Sequence, residues 1–222
     1  SGKKVVKIHC DDTKATGVET ADQTFYGADY IISTIHPKRM LEMLDTKLIR
    51  PAFRTRINSI PQTAGGFAVY VKFRAGTMPY MNTNYYGYNC GTPWNCEHYT
   101  DSEWPKGFLY MHMCHEDGAK WAESGVILSY MNFEEVAQWS GTRIGRRGES
   151  YEAFKRDRAE RLMANVEKHC PGFIQSVESY FTSTPLTYYD YTGTEGGSMY
   201  GVAKDINMGA AGRVPYRIKV PN

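Results

Sequence analysis

The stretch from Thr184 to Gly201 has the residue types best suited to holding a flat ligand. It contains four tyrosines and four glycines. Glycine lets a backbone approach a ring closely, and tyrosine supplies an apolar face with a polar edge. The stretch begins with a proline-bounded turn and directly follows an amphipathic segment. We therefore expect it to face a ring system or a neighbouring domain.

A second group of side chains, between residues 90 and 115, has the elements that bind metals. It consists of cysteines and histidines in the spacings C-x5-C-x-H and H-x-C-H: Cys90, Cys96, His98, His112, Cys114 and His115. Neither spacing matches a standard zinc pattern, so no metal site is expected. No carboxylate stands out as a general acid or base, and the catalytic residues stay unassigned.

Positive charge is concentrated before and within a predicted long helix. The residues are Arg143, Arg146, Arg147, Lys155, Arg156, Arg158 and Arg161. Such a run is usually a solvated face with ion pairs to acidic residues one turn away. The sharper interpretation is peripheral contact with an anionic membrane surface from which a lipid substrate is drawn.

The composition limits the class of protein. The 222 residues suffice for one large domain or two small ones, and a net charge of +2 gives nucleic-acid binding no electrostatic support. No apolar run approaches the ~20 residues that span a bilayer. The scattered cysteines favour a reducing, cytoplasmic compartment. The aromatic content of 14% suits an apolar cavity or a carbohydrate-binding surface.

Periodicity predicts an α+β fold that would position these residues. Residues 4–35 have the pattern of a β-meander, with strands near Val5–Ile8, Gly17–Thr20 and Thr24–Tyr26. The following Ala28–Ile35 is almost continuously apolar, as in a strand buried on both faces of a parallel sheet, yet no parallel neighbour is predicted for it. The other predicted elements are strands at 66–73, 108–114 and 126–133, a short helix from Pro37, a long helix over Tyr151–His169, a helix or turn over Phe173–Phe181, and a loop over 76–106.

Three segments, in this order, resemble one enzyme family. They are Gly17–Asp22 with Ala28–Pro37, then the long helix ending in His169-Cys170-Pro171-Gly172 with Thr184–Thr187 and Gly197–Gly201, and finally Val214–Asn222. Together they resemble the FAD-dependent amine-oxidase-like superfamily, and the second is similar to its phytoene desaturase, carotenoid isomerase and retinol saturase branch. The resemblance covers most of the chain except residues 76–106.

The resemblance implies a function and a set of site residues. It implies FAD as cofactor and an apolar polyene- or isoprenoid-type substrate whose C–C bonds are desaturated, saturated or isomerised. The flavin N5 would accept or donate hydride, while the protein orients the substrate and excludes water. The implied flavin contacts are Ile35, His36, Pro37, Gly193, Gly197, Ser198 and Gly201, and the implied substrate contacts are Tyr188, Tyr191 and Tyr200. The residues alone leave open that Tyr188–Gly201 is a strand with glycine turns packed on the core, and that His36 caps a helix at the surface.

Both glycine-rich FAD-binding motifs of that superfamily are missing from the chain. We therefore expect an internal portion of a larger enzyme. Residues 1–37 would be a remnant of the FAD-binding domain, with the meander and one orphan strand of its Rossmann-like sheet. Residues 38–213 would be a mixed or antiparallel substrate-binding domain flanked by helices, and 214–222 the start of the return into the FAD domain. The missing FAD domain would be its partner, and the portion alone would be inactive and would not retain FAD.

Other classes of protein stay open. One is a Tyr/Trp-rich binding module for carbohydrate or another ligand, without redox activity. The others are an amine oxidase of the same superfamily and a scaffold with no activity of its own. The long helix and the apolar strand count against a β-sandwich lectin, which needs about seven short alternating strands.

Overall fold

The computed structural model describes residues 1–116, 118–204, 207, 209 and 213–221. The predicted 38–213 and 214–222 segments include residues outside this set: Asp117, Asp205, Ile206, Met208, Ala210, Ala211, Gly212 and Asn222. The chain divides into two compact units. The first comprises Ser1–Thr63, Thr192–Thr194 and Tyr200–Asn222, and the second Ala64–Tyr191 and Glu195–Met199. The predicted α+β class is confirmed by a three-stranded and a five-stranded antiparallel sheet accompanied by helices.

The first unit begins with the predicted meander, which is confirmed over residues 5–27. Strands β1 (Val5–Cys10), β2 (Ala15–Thr20) and β3 (Phe25–Gly27) pair in order and antiparallel. The turn after β1 is fixed by Asp11, whose side chain accepts hydrogen bonds from the backbone N–H groups of Thr13 and Lys14, each at 2.7 Å. Ala15 N also donates to Pro221 O at 2.9 Å, which ties the C-terminal segment to β2.

Two short helices complete the core of the first unit. Helices α1 (Pro37–Met43) and α2 (Pro51–Ser59) each begin with proline, whose missing N–H costs nothing at that position. The predicted start of α1 is confirmed, whereas α2 was not predicted. Their apolar sides pack with β1 around Ile8, Met40, Leu41, Leu44, Ile49 and Ile57.

The strand predicted over Ala28–Ile35 is wrong. Residues 28–36 form no strand and belong to neither sheet, although Ala28 N donates to Thr16 O of β2 at 3.2 Å. Tyr30 and Ile35 are exposed, and Ile32 is 87% exposed. A strand needs a neighbour that satisfies its backbone N–H and C=O groups. The pattern of this apolar segment (residues 28–35) indicates burial, but it does not show whether a neighbouring strand is present to pair with it.

The second unit is built on a five-stranded sheet in the order β5–β6–β7–β4–β8. Its strands are β4 (Gly65–Phe73), β5 (Tyr85–Tyr88), β6 (Gly107–Met113), β7 (Ser124–Met131) and β8 (Val177–Ser183). The strands predicted at 66–73, 108–114 and 126–133 are confirmed as β4, β6 and β7, and β6 pairs antiparallel with β7. Strand β5 lies in the predicted loop and β8 in the predicted helix or turn. Both are edge strands, where a polar, partly solvated pattern weakens the alternation that marks a strand.

Three helices follow in the second unit. Helix α3 (Glu149–His169) confirms the predicted long helix and buries Ala159, Leu162, Met163 and Val166, as its 3.6-residue period requires. Helix α4 (Phe173–Ser176) is a single turn. Helix α5 (Pro185–Thr192) contains part of the tyrosine-rich stretch, so the strand alternative for that part is wrong. Thr184 Oγ1 accepts a hydrogen bond from Leu186 N at 3.2 Å and so satisfies a first-turn donor.

Candidate functional site

His36 lies at the start of α1 and is buried. Its Nδ1 accepts a hydrogen bond from Lys38 N at 3.3 Å, and its Nε2 lies 2.7 Å from Gln62 Oε1. Because Nδ1 acts as the acceptor, Nε2 carries the proton and donates to Gln62. The histidine therefore caps the helix, as the alternative interpretation proposed, but from an interior position rather than from the surface.

Gly201 lies against this histidine. Its φ of +71° is favourable for glycine, and a β-carbon on it would lie 3.5 Å from His36 Cδ2. Thr63 fixes the local backbone, because its N and Oγ1 donate to Gly201 O at 2.8 and 3.0 Å and its Oγ1 accepts from Tyr200 N at 3.2 Å. The side chain of Tyr200 is 69% exposed.

Gly193 also reaches α1. Arg39 Nε donates to Gly193 O at 3.2 Å, although the two residues are 154 positions apart in sequence. Glu42 accepts from Arg39 Nη1 at 2.8 Å and orients the guanidinium. The first unit thus brings together Ile35, His36, Pro37, Gly193 and Gly201, which are five of the residues that the resemblance assigns to the flavin.

Gly197 and Ser198 lie in the second unit. A β-carbon on Gly197, which has a φ of +59°, would lie only 2.0 Å from Pro185 O, so the space beside this glycine is filled by the start of α5. Ser198 is 2% exposed, and its Oγ has no hydrogen-bond partner among the described residues. A buried hydroxyl without a partner is uncommon, because leaving it unpaired costs about 1–3 kcal/mol.

Tyr188 and Tyr191 lie three positions apart on α5. Tyr188 is half-buried and Tyr191 is 73% exposed. The buried Arg147 holds the helix between them by donating to the carboxylate of Asp190. Arg147 Nη1 also donates to Thr142 Oγ1 at 2.8 Å and to the backbone carbonyl of Trp139 at 3.1 Å.

An apolar groove of about 790 Å³ opens in the first unit. Its walls come from residues 30–37, from β1, β2 and α1, and from residues 214–221. Ile35 and Pro37 are among the lining residues, as are the exposed Tyr30 and Ile32. The groove therefore adjoins the cluster around the start of α1 and is bounded by the apolar segment.

These residues fit one part of FAD and not the other. The exposed ring of Tyr200 beside the cluster suits contact with the flat flavin ring. A pyrophosphate needs several free backbone N–H groups, usually at a helix N-terminus after a glycine-rich turn. The first turn of α1 is capped by His36 and begins with Pro37, which has no N–H. The described residues near this cluster therefore do not fit the pyrophosphate of FAD.

Two buried polar clusters of the second unit were not predicted. In one, Tyr99 donates to Glu135 at 2.5 Å, and Glu135 also accepts from Arg158 at 2.9 Å. Burial and the adjacent carboxylate raise the pKa of Tyr99, while Arg158 lowers the pKa of Asp101. The Arg158 guanidinium lies over the rings of Trp104 and Phe154, at 5.1 and 5.0 Å from their centroids. Only Nη2 of this buried guanidinium donates hydrogen bonds, to Asp101 and Glu135, whereas Nε and Nη1 have no hydrogen-bond partner among the described residues. The ion pairs and the two rings indicate a structural role for Arg158.

The other cluster joins Tyr110 to His112 on one face of β6. His112 Nδ1 accepts from Met81 N at 3.1 Å, and its Nε2 is hydrogen-bonded to the Tyr110 hydroxyl. Burial lowers the pKa of His112 and raises the pKa of Tyr110. Across the described residues, no three His, Cys, Asp or Glu side chains are grouped as a metal site would require.

Most of the predicted basic run is neutralised by acidic partners. Arg147, Lys155, Arg156, Arg158 and Arg161 all form ion pairs with carboxylates. Of the two expected partners of Arg158 and Arg161, Asp157 lies 3.7 Å from each guanidinium, and no ion pair with Glu160 forms among the described residues. Arg143 and Arg146 instead flank the exposed Ile144 in a turn before α3. None of the helices formed by the described residues is both long and apolar enough to cross a bilayer.

No protein-family model matches the chain, and no curated protein matches it. Among solved structures, the chain is similar to a crystal structure of an oxidoreductase from Methanosarcina mazei, with 13% sequence identity and a TM-score of 0.47. The match covers 82% of this chain and 36% of that one, so the chain spans 36% of the length of the structure it matches. A likeness at this level carries no argument about activity.

Proposed function

We propose that the chain is the substrate-binding part of an FAD-dependent oxidoreductase that acts on C–C bonds of an apolar polyene- or isoprenoid-type substrate. The observation that carries the proposal is the convergence on α1 of Ile35–Pro37, Gly193 and Gly201. The resemblance gives these sequence-distant segments one role, contact with the flavin. That role requires them to be neighbours in space.

The apolar segment supports the second part of the proposal, which concerns the partner. Ile32 is 87% exposed although its neighbours in sequence have the pattern of a doubly buried strand. Exposed apolar surface that lines a groove is typical of a site that binds another domain or a ligand. The proposed cover is the rest of the FAD domain, with residues 1–37 as part of that domain, 38–213 as the substrate domain and 214–222 as the return. That domain would hold the FAD pyrophosphate, for which the cluster on α1 has no cradle.

The exposed tyrosines support an apolar substrate. Tyr191 and Tyr200 are 73% and 69% exposed, so both tyrosines are accessible to a ligand. Covering about 100 Å² of such a ring would contribute about 2.5 kcal/mol to binding. A polyene has almost no polar atoms, so contacts of this kind would supply most of its affinity.

Equilibrium binding of an all-trans polyene to the purified chain tests the substrate class. We expect saturable binding that Tyr191→Ala and Tyr200→Ala each weaken about tenfold or more, because each removes about 1.4 kcal/mol or more of contact. Tyr86→Ala is the matched control, because Tyr86 is also an exposed tyrosine but lies on β5. Saturable binding of an oligosaccharide, with none of the polyene, would support the carbohydrate-binding alternative instead.

Titration with FAD tests the proposed division of the cofactor site. We expect no stoichiometric flavin binding by the chain alone, because the start of α1 offers no pyrophosphate cradle. Adding the proposed FAD-domain partner should restore binding. A tight one-to-one flavin spectrum from the chain alone would contradict this division of the site.

Peripheral contact with an anionic membrane is supported by one surface feature. Arg143 and Arg146 flank the exposed Ile144, which gives the turn an apolar tip between two cations. The proposed location is peripheral to the membrane on its cytoplasmic side, the compartment that the scattered cysteines favour. Co-sedimentation should rise with the anionic lipid content of liposomes and fall in Ile144→Asp. Sedimentation that does not depend on anionic lipid would remove this part of the proposal.

A further inference from the structure

Two thiols of the second unit face each other at the base of an exposed loop. The Sγ atoms of Cys90 and Cys96 are 4.0 Å apart. Cys90 donates to Thr92 O at 2.9 Å, and Cys96 donates to Pro93 O at 3.1 Å. A disulfide needs a separation of about 2.05 Å, so the two sulfurs must approach by about 2 Å in total. Rotation about the Cα–Cβ bonds can supply a movement of this size.

The two ends of this loop are anchored. Asn89 N donates to Lys106 O at 2.8 Å, and its side-chain amide donates to Pro105 O at 2.7 Å and to Asn165 Oδ1 at 2.9 Å. At the other end Cys96 is buried against Gly107, where a β-carbon would lie 2.9 Å from its Sγ. The thiols are therefore held close by groups outside the loop.

The residues between the thiols are all exposed. They are Gly91, Thr92, Pro93, Trp94 and Asn95, and Trp94 at the tip is 77% exposed. A bond between Cys90 and Cys96 would close these residues into a small ring. It would restrict the positions available to Trp94 on the surface.

We propose that Cys90 and Cys96 form an intramolecular disulfide when the protein meets a peroxide. Cys90, the more exposed thiol, attacks a peroxide oxygen; the O–O bond breaks, water leaves, and Cys90 becomes a sulfenic acid. Cys96 Sγ then attacks the Cys90 sulfur; the S–S bond forms, the S–O bond breaks, and a second water leaves with the Cys96 proton. The two thiols are oxidised by two electrons, and one hydrogen peroxide is reduced to two waters.

The surroundings of the two thiols fix the order of these steps. Burial, together with the neighbouring Cys90, raises the pKa of Cys96 to about 11, so Cys96 has very little thiolate at neutral pH. The half-exposed Cys90 is open to a peroxide from solvent. Cys114 is also half-exposed, and its Sγ donates to Glu116 O at 3.3 Å without contacting a second sulfur among the described residues. It therefore serves as the control thiol.

Mass mapping of the unsubstituted protein tests the proposal. The protein is treated with hydrogen peroxide, and its remaining thiols are alkylated. The mass of the tryptic peptide that contains both Cys90 and Cys96 is then measured by mass spectrometry. We expect this peptide to lose two hydrogen atoms, to escape alkylation, and to regain both thiols in dithiothreitol. Oxidation should also change the emission of Trp94, which lies inside the ring.

Substitutions sharpen this test. In Cys90→Ser the Cys96 thiol should stay open to alkylation, whereas Cys114→Ser should oxidise as the unsubstituted protein does. A sulfinic acid on Cys90 with Cys96 still alkylated would overturn the proposal. So would a disulfide between two chains or one that involves Cys114. The mapping of the unsubstituted protein decides between these outcomes even if a variant does not fold.

Discussion

The replacement of Gly197 by alanine tests whether this glycine is required for packing of the second unit or for contact with a ligand. Gly197 is one of the residues that the resemblance assigns to the flavin, yet the space beside it is occupied by the start of α5. A β-carbon there would lie 2.0 Å from Pro185 O and 2.5 Å from Pro185 C. Backbone atoms cannot rotate away as a flexible side chain can. We therefore expect Gly197→Ala to destabilise the second unit strongly.

The magnitude follows from three contributions. Alanine in the left-handed region costs about 1–2 kcal/mol, and the reduced entropy of the unfolded chain returns about 0.4–1 kcal/mol. Relieving the overlap with Pro185 requires a backbone shift of the kind that costs about 1–3 kcal/mol in overpacked cores. The expected loss of unfolding free energy for Gly197→Ala is therefore about 3 kcal/mol.

Gly145→Ala is the matched control. Gly145 also has a positive φ, +73°, but nothing lies within 4 Å of its would-be β-carbon. It should lose only about 1 kcal/mol, from backbone strain alone. Urea unfolding followed by tryptophan emission measures the difference, because all four tryptophans belong to the second unit. If both variants lost the same free energy, the reasoning would be refuted and Gly197 would be open to a ligand.

Three further predictions concern other features. Burial lowers the folded-state pKa of His112, so the unfolded chain takes up the proton first and stability should fall as the pH drops below about 6.5. The urea midpoint should fall less between pH 7.5 and 5.5 in His112→Gln. Arg158→Ala should lose about 3 kcal/mol or more by leaving Glu135 without its cation, whereas the exposed Arg156→Ala should lose less than about 0.5. Ile32→Asp should change stability by less than about 0.5 kcal/mol, because Ile32 is exposed in this chain.

Each of these expectations has an opposite result. An equal pH dependence with and without His112 would assign the acid sensitivity to other groups. Equal losses for Arg158→Ala and Arg156→Ala would mean that the cluster around Glu135 is not a structural centre. A loss of about 3 kcal/mol in Ile32→Asp would show that the apolar segment is buried within the chain after all.

The sequence predicted those elements whose burial has a regular period. Helix α3 has apolar residues every three or four positions, and α1 begins at a proline, so both were predictable. The edge strands β5 and β8 were not, because one side of an edge strand is solvated and its pattern is mixed. For the apolar segment the sequence predicted a strand that does not form. Its apolar pattern indicates burial but does not identify the surface against which these residues are buried.

The candidate site was predictable only in part. The resemblance selected Gly193 and Gly201, and the geometry joins both to α1. The side chains that make the connection, Arg39 and Thr63, are ordinary polar residues whose spacing has no signature. Their role depends on contacts between residues more than 130 positions apart, with Thr63 and Gly201 separated by 138. No local pattern encodes contacts of that range.

Conversion of an apolar polyene by the FAD-loaded protein that contains this chain tests the proposed function most directly. The polyene is incubated with the holoenzyme and an electron donor or acceptor. The products are separated by chromatography, and their molecular masses are measured by mass spectrometry. The proposal predicts a product that differs from the substrate by two hydrogen atoms, or a geometric isomer of equal mass. An unchanged polyene, together with oxidation of an amine by the same preparation, would contradict it.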